Sequence, residues 1–169
     1  NKIIERQLIQ LAEKNPVIII STGGMGPGKY DLLEESFRRV GGETIFSSLQ
    51  MRPGKSILFG LLGQSLYFGL PGPPFAVQTL FYALVLPTIL AAQGHVRWKP
   101  LMRRARLDEE IHLGGSDMLR LQEGILFAQN EINMVRAARK NEQPNCYIYC
   151  HTGRKIFQRG MLVSVQIIP

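Results

Sequence analysis

An α/β layer followed by a small all-β domain is the fold class that this sequence predicts, and three observations predict it. In the first half, helical and strand-like spacings alternate around a glycine-rich turn. In the second half, five short strand-like runs, separated by Gly, Asn, Asp and Pro, follow one another in the manner of a small barrel or sandwich. The charge also divides. Residues 1–95 carry eight basic and six acidic side chains (+2), and residues 96–169 carry twelve and seven (+5). The change of period and charge near Gly94 places the domains at 1–95 and 96–169.

The composition bounds the answer. With 45% hydrophobic and 20% charged residues, the 169-residue chain has enough apolar material for a core, which excludes wholesale disorder. Two cysteines cannot build a disulfide framework, so a reducing compartment, the cytoplasm, is expected. The chain opens on Asn1 with polar, helix-like text and no signal-peptide pattern, and it reads as part of something longer.

Taken in order, Lys2 to Lys14 has apolar residues at 3, 4, 8, 11 and 12, a helical spacing that Pro16 ends. Val17 to Ile20 is a β-branched run without alternation, the pattern of a strand covered on both faces. The turn STGGMGPGKYD (21–31) follows, then a helix from Leu32 to Val40, closed by Gly41 and Gly42. Thr44 to Leu49 reads as a strand, and Ser56–Phe59 with Ser65–Phe68 as a hairpin. Phe75 to Ala92 is eighteen residues without charge, at the lower edge of a membrane span. Gln78, Thr79, Pro87 and Thr88 interrupt it, which favours a helix buried against the sheet over a membrane segment. The strand runs of the second half are 103–111, 118–127, 132–138, 146–151 and 161–168.

The turn at 21–31 is the main chemical candidate. Gly23, Gly24, Gly26 and Gly28 let backbone N–H groups converge on an anion between a strand and a helix start. A tight structural turn is the alternative, since neither the P-loop nor the dinucleotide spacing is present. Asp31 reads either as half of a D-x-x-E capping box with Glu34 or as a magnesium ligand beside phosphate. Arg52-Pro53-Gly54-Lys55 sets two cations around a stiff turn, and Gly69 to Pro74 opens the long helix. Cys146 and Cys150 would lie on one strand face about 13 Å apart, too far for a disulfide. With His151 they form a weak metal pattern, and a buried strand is the better reading. The basic run Arg97, Lys99, Arg103, Arg104 and Arg106 around Trp98 lacks an RNA-binding motif and reads as a linker or an anion-facing surface, without a nucleic-acid partner.

The ordered motifs STGGMGPGKYD, MRPGKS (51–56) and FGLPGPP (68–74), followed by a helix ending in Pro87-Thr88-Ile89-Leu90 and Gly94, resemble the molybdopterin molybdenumtransferases, the molybdate-insertion enzymes of molybdenum cofactor synthesis to which gephyrin is related. The resemblance is clear over about residues 15–95 and fainter beyond. It implies a three-layer α/β molybdopterin-binding domain, here partial, and a small C-terminal β-barrel domain. It also implies Mg2+-dependent cleavage of adenylylated molybdopterin and insertion of molybdate, by a homodimer. Carried over by position, Asp31 matches a magnesium-associated catalytic aspartate. Thr22, Gly23, Gly24, Gly26 and Gly28 match the phosphate turn, and Arg52, Gly54 and catalytic Lys55 the oxyanion site. Gly72 and Pro74 match the third loop.

Departures from the family pattern are Gly26 for serine, Ser56 for proline, Pro73 for asparagine, Glu123 for arginine, and Arg136-Ala137-Ala138-Arg139 for a serine-rich stretch. They open a second reading, a relative that binds molybdopterin or the finished cofactor as a carrier without inserting metal. The matching stretch also lacks the first half of the family's catalytic domain, so its first strand is expected to present an unpaired edge.

Overall fold

The computed structural model describes residues 2–24, 32–114 and 117–169. It has two compact units, one of residues 1–49 and 53–94, the other of residues 50–52 and 95–169.

The first unit is a four-stranded sheet with helices. Helix α1 (Lys2–Glu13) buries Leu8, with Ile4 and Ala12 half covered. It stops at Asn15, which takes a positive φ of 46°, a conformation asparagine tolerates, and Pro16 keeps the helix from resuming. Strand β1 (Ile18–Thr22) leads to α2 (Leu33–Arg39), β2 (Glu43–Ser48), β4 (Ser56–Leu62) and β5 (Ser65–Leu70), in the order β1-β5-β4-β2. The short β3 (Met51–Arg52) goes to the other unit.

Among the described residues of this sheet, only the β1–β5 pair is parallel. The β4–β5 hairpin turns on Gly63, whose φ of 61° suits the first central position of a type II′ turn. Phe37 of α2 is fully buried against Tyr67, ring centroids 4.6 Å apart. Glycine makes this packing possible. A Cβ on Gly42 would lie 2.6 Å from the Phe37 ring, and one on Gly60 would lie 2.2 Å from the Glu43 carbonyl oxygen.

Two expectations fail here. The first strand is not covered on both faces: Ile19 is buried, but Ile20 on the opposite face is 42% exposed. The reason is its place as the last strand of the sheet, where among the described residues nothing pairs with its outer edge. The second concerns the apolar helix, which runs Pro74–Ala92 as α3 (Pro74–Leu80), a π-helical turn (Phe81–Val85) and α4 (Leu86–Ala92). By length and composition it could cross a membrane. Ala76, Thr79, Leu80, Val85 and Pro87 are buried, yet only 28% of its most apolar window is covered and Phe75 is 56% exposed.

The sequence explains the shape of this helix. Pro87 has no N–H to bond four residues back, and its ring would crowd that carbonyl. The wider turn before it absorbs the mismatch, with the Leu86 N–H reaching five residues back to the Phe81 carbonyl. Thr79 and Thr88 give their hydroxyls to the carbonyls of Phe75 and Leu84, both at 2.8 Å, so their polarity is satisfied within the helix.

The second unit contains a closed five-stranded barrel. Strands β6 (Met102–Leu107), β8 (Leu119–Gln129), β9 (Ile132–Ala137), β10 (Cys146–Cys150) and β12 (Leu162–Ile167) run in the order β10-β12-β6-β9-β8, and β10 pairs with β8 to close the ring. Ala105, Leu107, Val135, Ile148, Val163 and Val165 fill it. All five sequence-predicted strands are present. The run 103–111 divides, its end forming β7 (Ile111–His112) against β11 (Ile156–Phe157). The β8–β9 hairpin turns on Asn130 and Glu131, both at positive φ (48° and 64°), as a type I′ turn requires. Arg103, Arg104 and Arg106 lie on β6 itself, so that part of the basic run is barrel wall and not linker.

Cys146 and Cys150 are free, buried in the barrel core, and share a face, as expected. Burial pushes their thiols up to about 12 and about 11, the Arg120 charge holding Cys150 slightly back. Only the thiolate attacks disulfide reagents. Both thiols are therefore expected to resist Ellman's reagent at pH 8 in the folded protein and to react fully in urea. Fast labelling of either in native buffer would contradict this assignment.

Candidate functional site

Topology gathers ligand loops at one end of the first sheet. Because β1 and β5 are parallel, Thr22 and Leu70 are register partners and the chain leaves both strands side by side. The Gly23 N–H donates to the Leu70 carbonyl at 2.9 Å, tying the glycine turn to the start of the Pro71–Pro74 loop. Strand β4 runs antiparallel to β5, with Leu58 opposite Gly69, so Lys55 just ahead of β4 stands at this same end. Two strand spacings, about 10 Å, separate it in register from the glycine turn.

Each loop is shaped by its residues. Gly23 and Gly24 hold φ of 88° and 71°, where a side chain is strained. Among the described residues no atom lies within 4 Å of a Cβ built on Gly23, so backbone conformation is what requires glycine there. Gly54 answers to both demands, with φ of 103° and the Leu80 side chain 2.7 Å from a built Cβ. It seats the Pro53–Lys55 turn against α3. The exposed Lys55 gives its carbonyl to the Leu49 N–H at 2.9 Å, leaving its ammonium to solvent. Gly72 is exposed, Pro73 caps α3, and Pro74 takes its first position, where a missing N–H costs nothing.

A cleft of about 260 Å3 opens beside the glycine turn. Ser21, Thr22, Gly23 and Gly24 form one side, Ile4, Gln7, Leu8 and Leu11 of α1 another, with Leu33 and Tyr67 completing it. Ser21 Oγ and the Tyr67 hydroxyl lie 2.6 Å apart, and burial pushes the Tyr67 phenol above its ordinary range against the opposing effect of that hydrogen bond. The cleft thus has aliphatic walls and hydroxyl and peptide groups at one end. Ser21, Tyr67 and Gln7 were not legible as site residues. Only the isolated hydroxyl in the apolar run LYFGL hinted at Tyr67.

Other sequence-predicted residues are placed differently. Gly26, Gly28 and Asp31 lie outside the described residues. Of the D-x-x-E box only Glu34 is among the described residues, and it pairs with Arg38 at 2.5 Å across one turn of α2. Arg52 belongs to the second unit, where β3 pairs with β8 and Arg52 stands opposite Arg120. Arg136 of the altered tail motif is held by both carboxylate oxygens of Glu142, at 2.6 and 2.8 Å, which keep the Glu142 carboxyl down at about 2. Among the described residues no group of three or more His, Cys, Asp and Glu side chains gathers to hold a metal ion.

Comparison with known proteins gives this architecture its class. A molybdopterin biosynthesis protein from Pyrococcus horikosii superposes with a TM-score of 0.73 at 21% identity, over 94% of this chain and 39% of that one. A molybdenum cofactor biosynthesis protein from Pyrococcus furiosus superposes with a TM-score of 0.69 at 18% identity, over 99% and 55%. The fold is therefore that of molybdopterin biosynthesis proteins.

A family model described as a probable molybdopterin binding domain matches residues 1–91. This chain belongs to that family. A molybdopterin molybdenumtransferase from a Nostoc species is 34% identical over 113 residues, 64% of this chain and 26% of that protein. One from Haemophilus influenzae is 34% identical over 88 residues, 52% and 22%. The chain thus spans about a quarter of the length of these relatives.

Proposed function

We propose that this chain serves molybdenum cofactor biosynthesis in the cytoplasm as part of a molybdopterin molybdenumtransferase, cleaving adenylylated molybdopterin and inserting molybdate. The observation that supports it is the convergence of the glycine turn, Lys55 and the Pro71–Pro74 loop at one sheet end, next to an open cleft. In this reading Thr22, Gly23 and Gly24, with Gly26 and Gly28 beyond them, cradle the phosphate through peptide N–H groups. Lys55 attracts the oxyanion. Gly54, Gly72 and Pro74 shape the loops. The expected Mg2+ rests on Asp31 alone, because the described residues assemble no carboxylate set for it, and no step is derived through it.

The protein is expected to bind molybdopterin, followed by pterin fluorescence, and Lys55→Glu should weaken this at least about tenfold by placing like charge before the phosphate. Unchanged affinity in that variant would remove the loop cluster from the reading.

One observation favours the carrier alternative. With Arg136 committed to Glu142 and Glu123 on β8 where the family pattern has arginine, the barrel supplies less positive charge for molybdate than the pattern implies. Tight pterin binding without any molybdate-dependent product would decide for it.

A homodimer is part of the same proposal. The uncharged helix Pro74–Ala92, little covered within its own chain, offers an apolar surface of the kind that subunit contacts bury. Sedimentation equilibrium should return twice the chain mass, and a monomer at tens of micromolar protein would contradict it.

A further inference from the structure

We propose that the barrel unit carries a second binding site on its outer wall, for the phosphate monoester of a small apolar or aromatic group. The site goes beyond the reading above, and all its residues belong to the second unit. Strand alternation sets its first wall. Val163 and Val165 point into the barrel, so Ser164 between them points out. Its register partners on either side are Tyr149 of β10 and Arg104 of β6, which places a phenol, a hydroxyl and a guanidinium in one row across three strands. The Tyr149 hydroxyl donates to Gln166 Oε1 at 2.8 Å, which fixes its ring as part of the wall.

The second wall is the segment between β10 and β12. Gly153 and Gly160, at φ of 85° and 82°, turn it back on itself and bring His151 and Arg154 to the same cleft as Arg104. The cleft encloses about 380 Å3, near the lower end of small-ligand sites. That is room for one phosphate and a ring, not for a polymer.

The chemistry selects the ligand. Among the described residues no Asp or Glu lines the cleft, and neither Arg104 nor Arg154 has a carboxylate partner. Two uncompensated guanidinium groups facing one cavity match a dianion, and their planar forks match phosphate oxygens two at a time. Leu162, 47% exposed at the rim beside Met161, gives an attached apolar group a surface to cover. A bare inorganic anion would leave that surface wet.

The test is titration of the protein with phenyl phosphate, followed by 1H–15N correlation NMR. Saturable shifts are expected at the amides of Tyr149, His151, Arg154 and Ser164, with inorganic phosphate binding about tenfold more weakly. Arg104→Glu should reduce affinity at least about tenfold. Arg154→Gln, in an exposed turn where folding is not at stake, should reduce it in the same direction. Shifts that never saturate, equal affinity for inorganic phosphate, or indifference to both variants would overturn the proposal. Shifts confined to Thr22, Gly23 and Gly24 would also overturn it, and would leave the glycine-turn reading standing.

Discussion

Replacing Asp31 by alanine in the complete protein is expected to lower the molybdate-dependent conversion of adenylylated molybdopterin by about 10²–10³-fold, the usual cost of removing one group that organises charge at a reacting centre. The expectation rests on the resemblance, which matches Asp31 to a magnesium-associated aspartate, and on its place seven residues beyond Gly24. An aspartate that caps a helix contributes about 1 kcal/mol of stability, so the melting temperature of the variant is measured beside its turnover. Lost turnover at a melting temperature within a few degrees of wild type assigns Asp31 to the chemistry. Turnover equal to wild type would take Asp31 out of the chemistry. A wild-type protein that binds pterin and makes no product would shift the whole chain to the carrier reading.

Phe37→Ala is expected to destabilise the first unit by about 3–5 kcal/mol. The ring is fully buried and stacks on Tyr67, and two glycines exist in this packing because it occupies the space that their side chains would need. Truncation leaves both glycines beside the emptied space with no side chain to fill it, and the Gly60 site stays bounded by the Glu43 peptide of the neighbouring strand. Since whole domains are stable by only about 5–15 kcal/mol, this single truncation should leave the unit near its unfolding midpoint at 37 °C. Urea unfolding read by far-ultraviolet circular dichroism measures it. A midpoint unchanged from wild type would show that the helix–sheet core lies elsewhere.

The second unit was the more legible half. Short strand-like runs bounded by Gly, Asn, Asp and Pro gave all five barrel strands. Ring closure was not readable, since the pairing of β8 with β10 is a long-range choice that no local pattern encodes.

In the first unit, element types were right and coverage was wrong. A run such as Val17 to Ile20 reads as buried whether or not a neighbour exists to bury it, and the apolar helix raised the same difficulty. The glycine positions were legible as conformational demands. The Ser21–Tyr67 pair was not, because residues 46 apart meet only through the parallel pairing of β1 and β5. Arg52 and Lys55 read as one stiff turn, and the two-residue strand that pairs Arg52 with β8 was too short to be legible.

The outer margin of β1 has a consequence for how the protein must be handled. Its peptide groups and the side chains of Val17 and Ile20 form a short, β-branched, uncharged template, the kind on which cross-β growth begins. The protein is therefore expected to lose solubility as its concentration rises, and not on heating alone. A companion segment laid along that margin would act as a solubiliser before it acted as anything else.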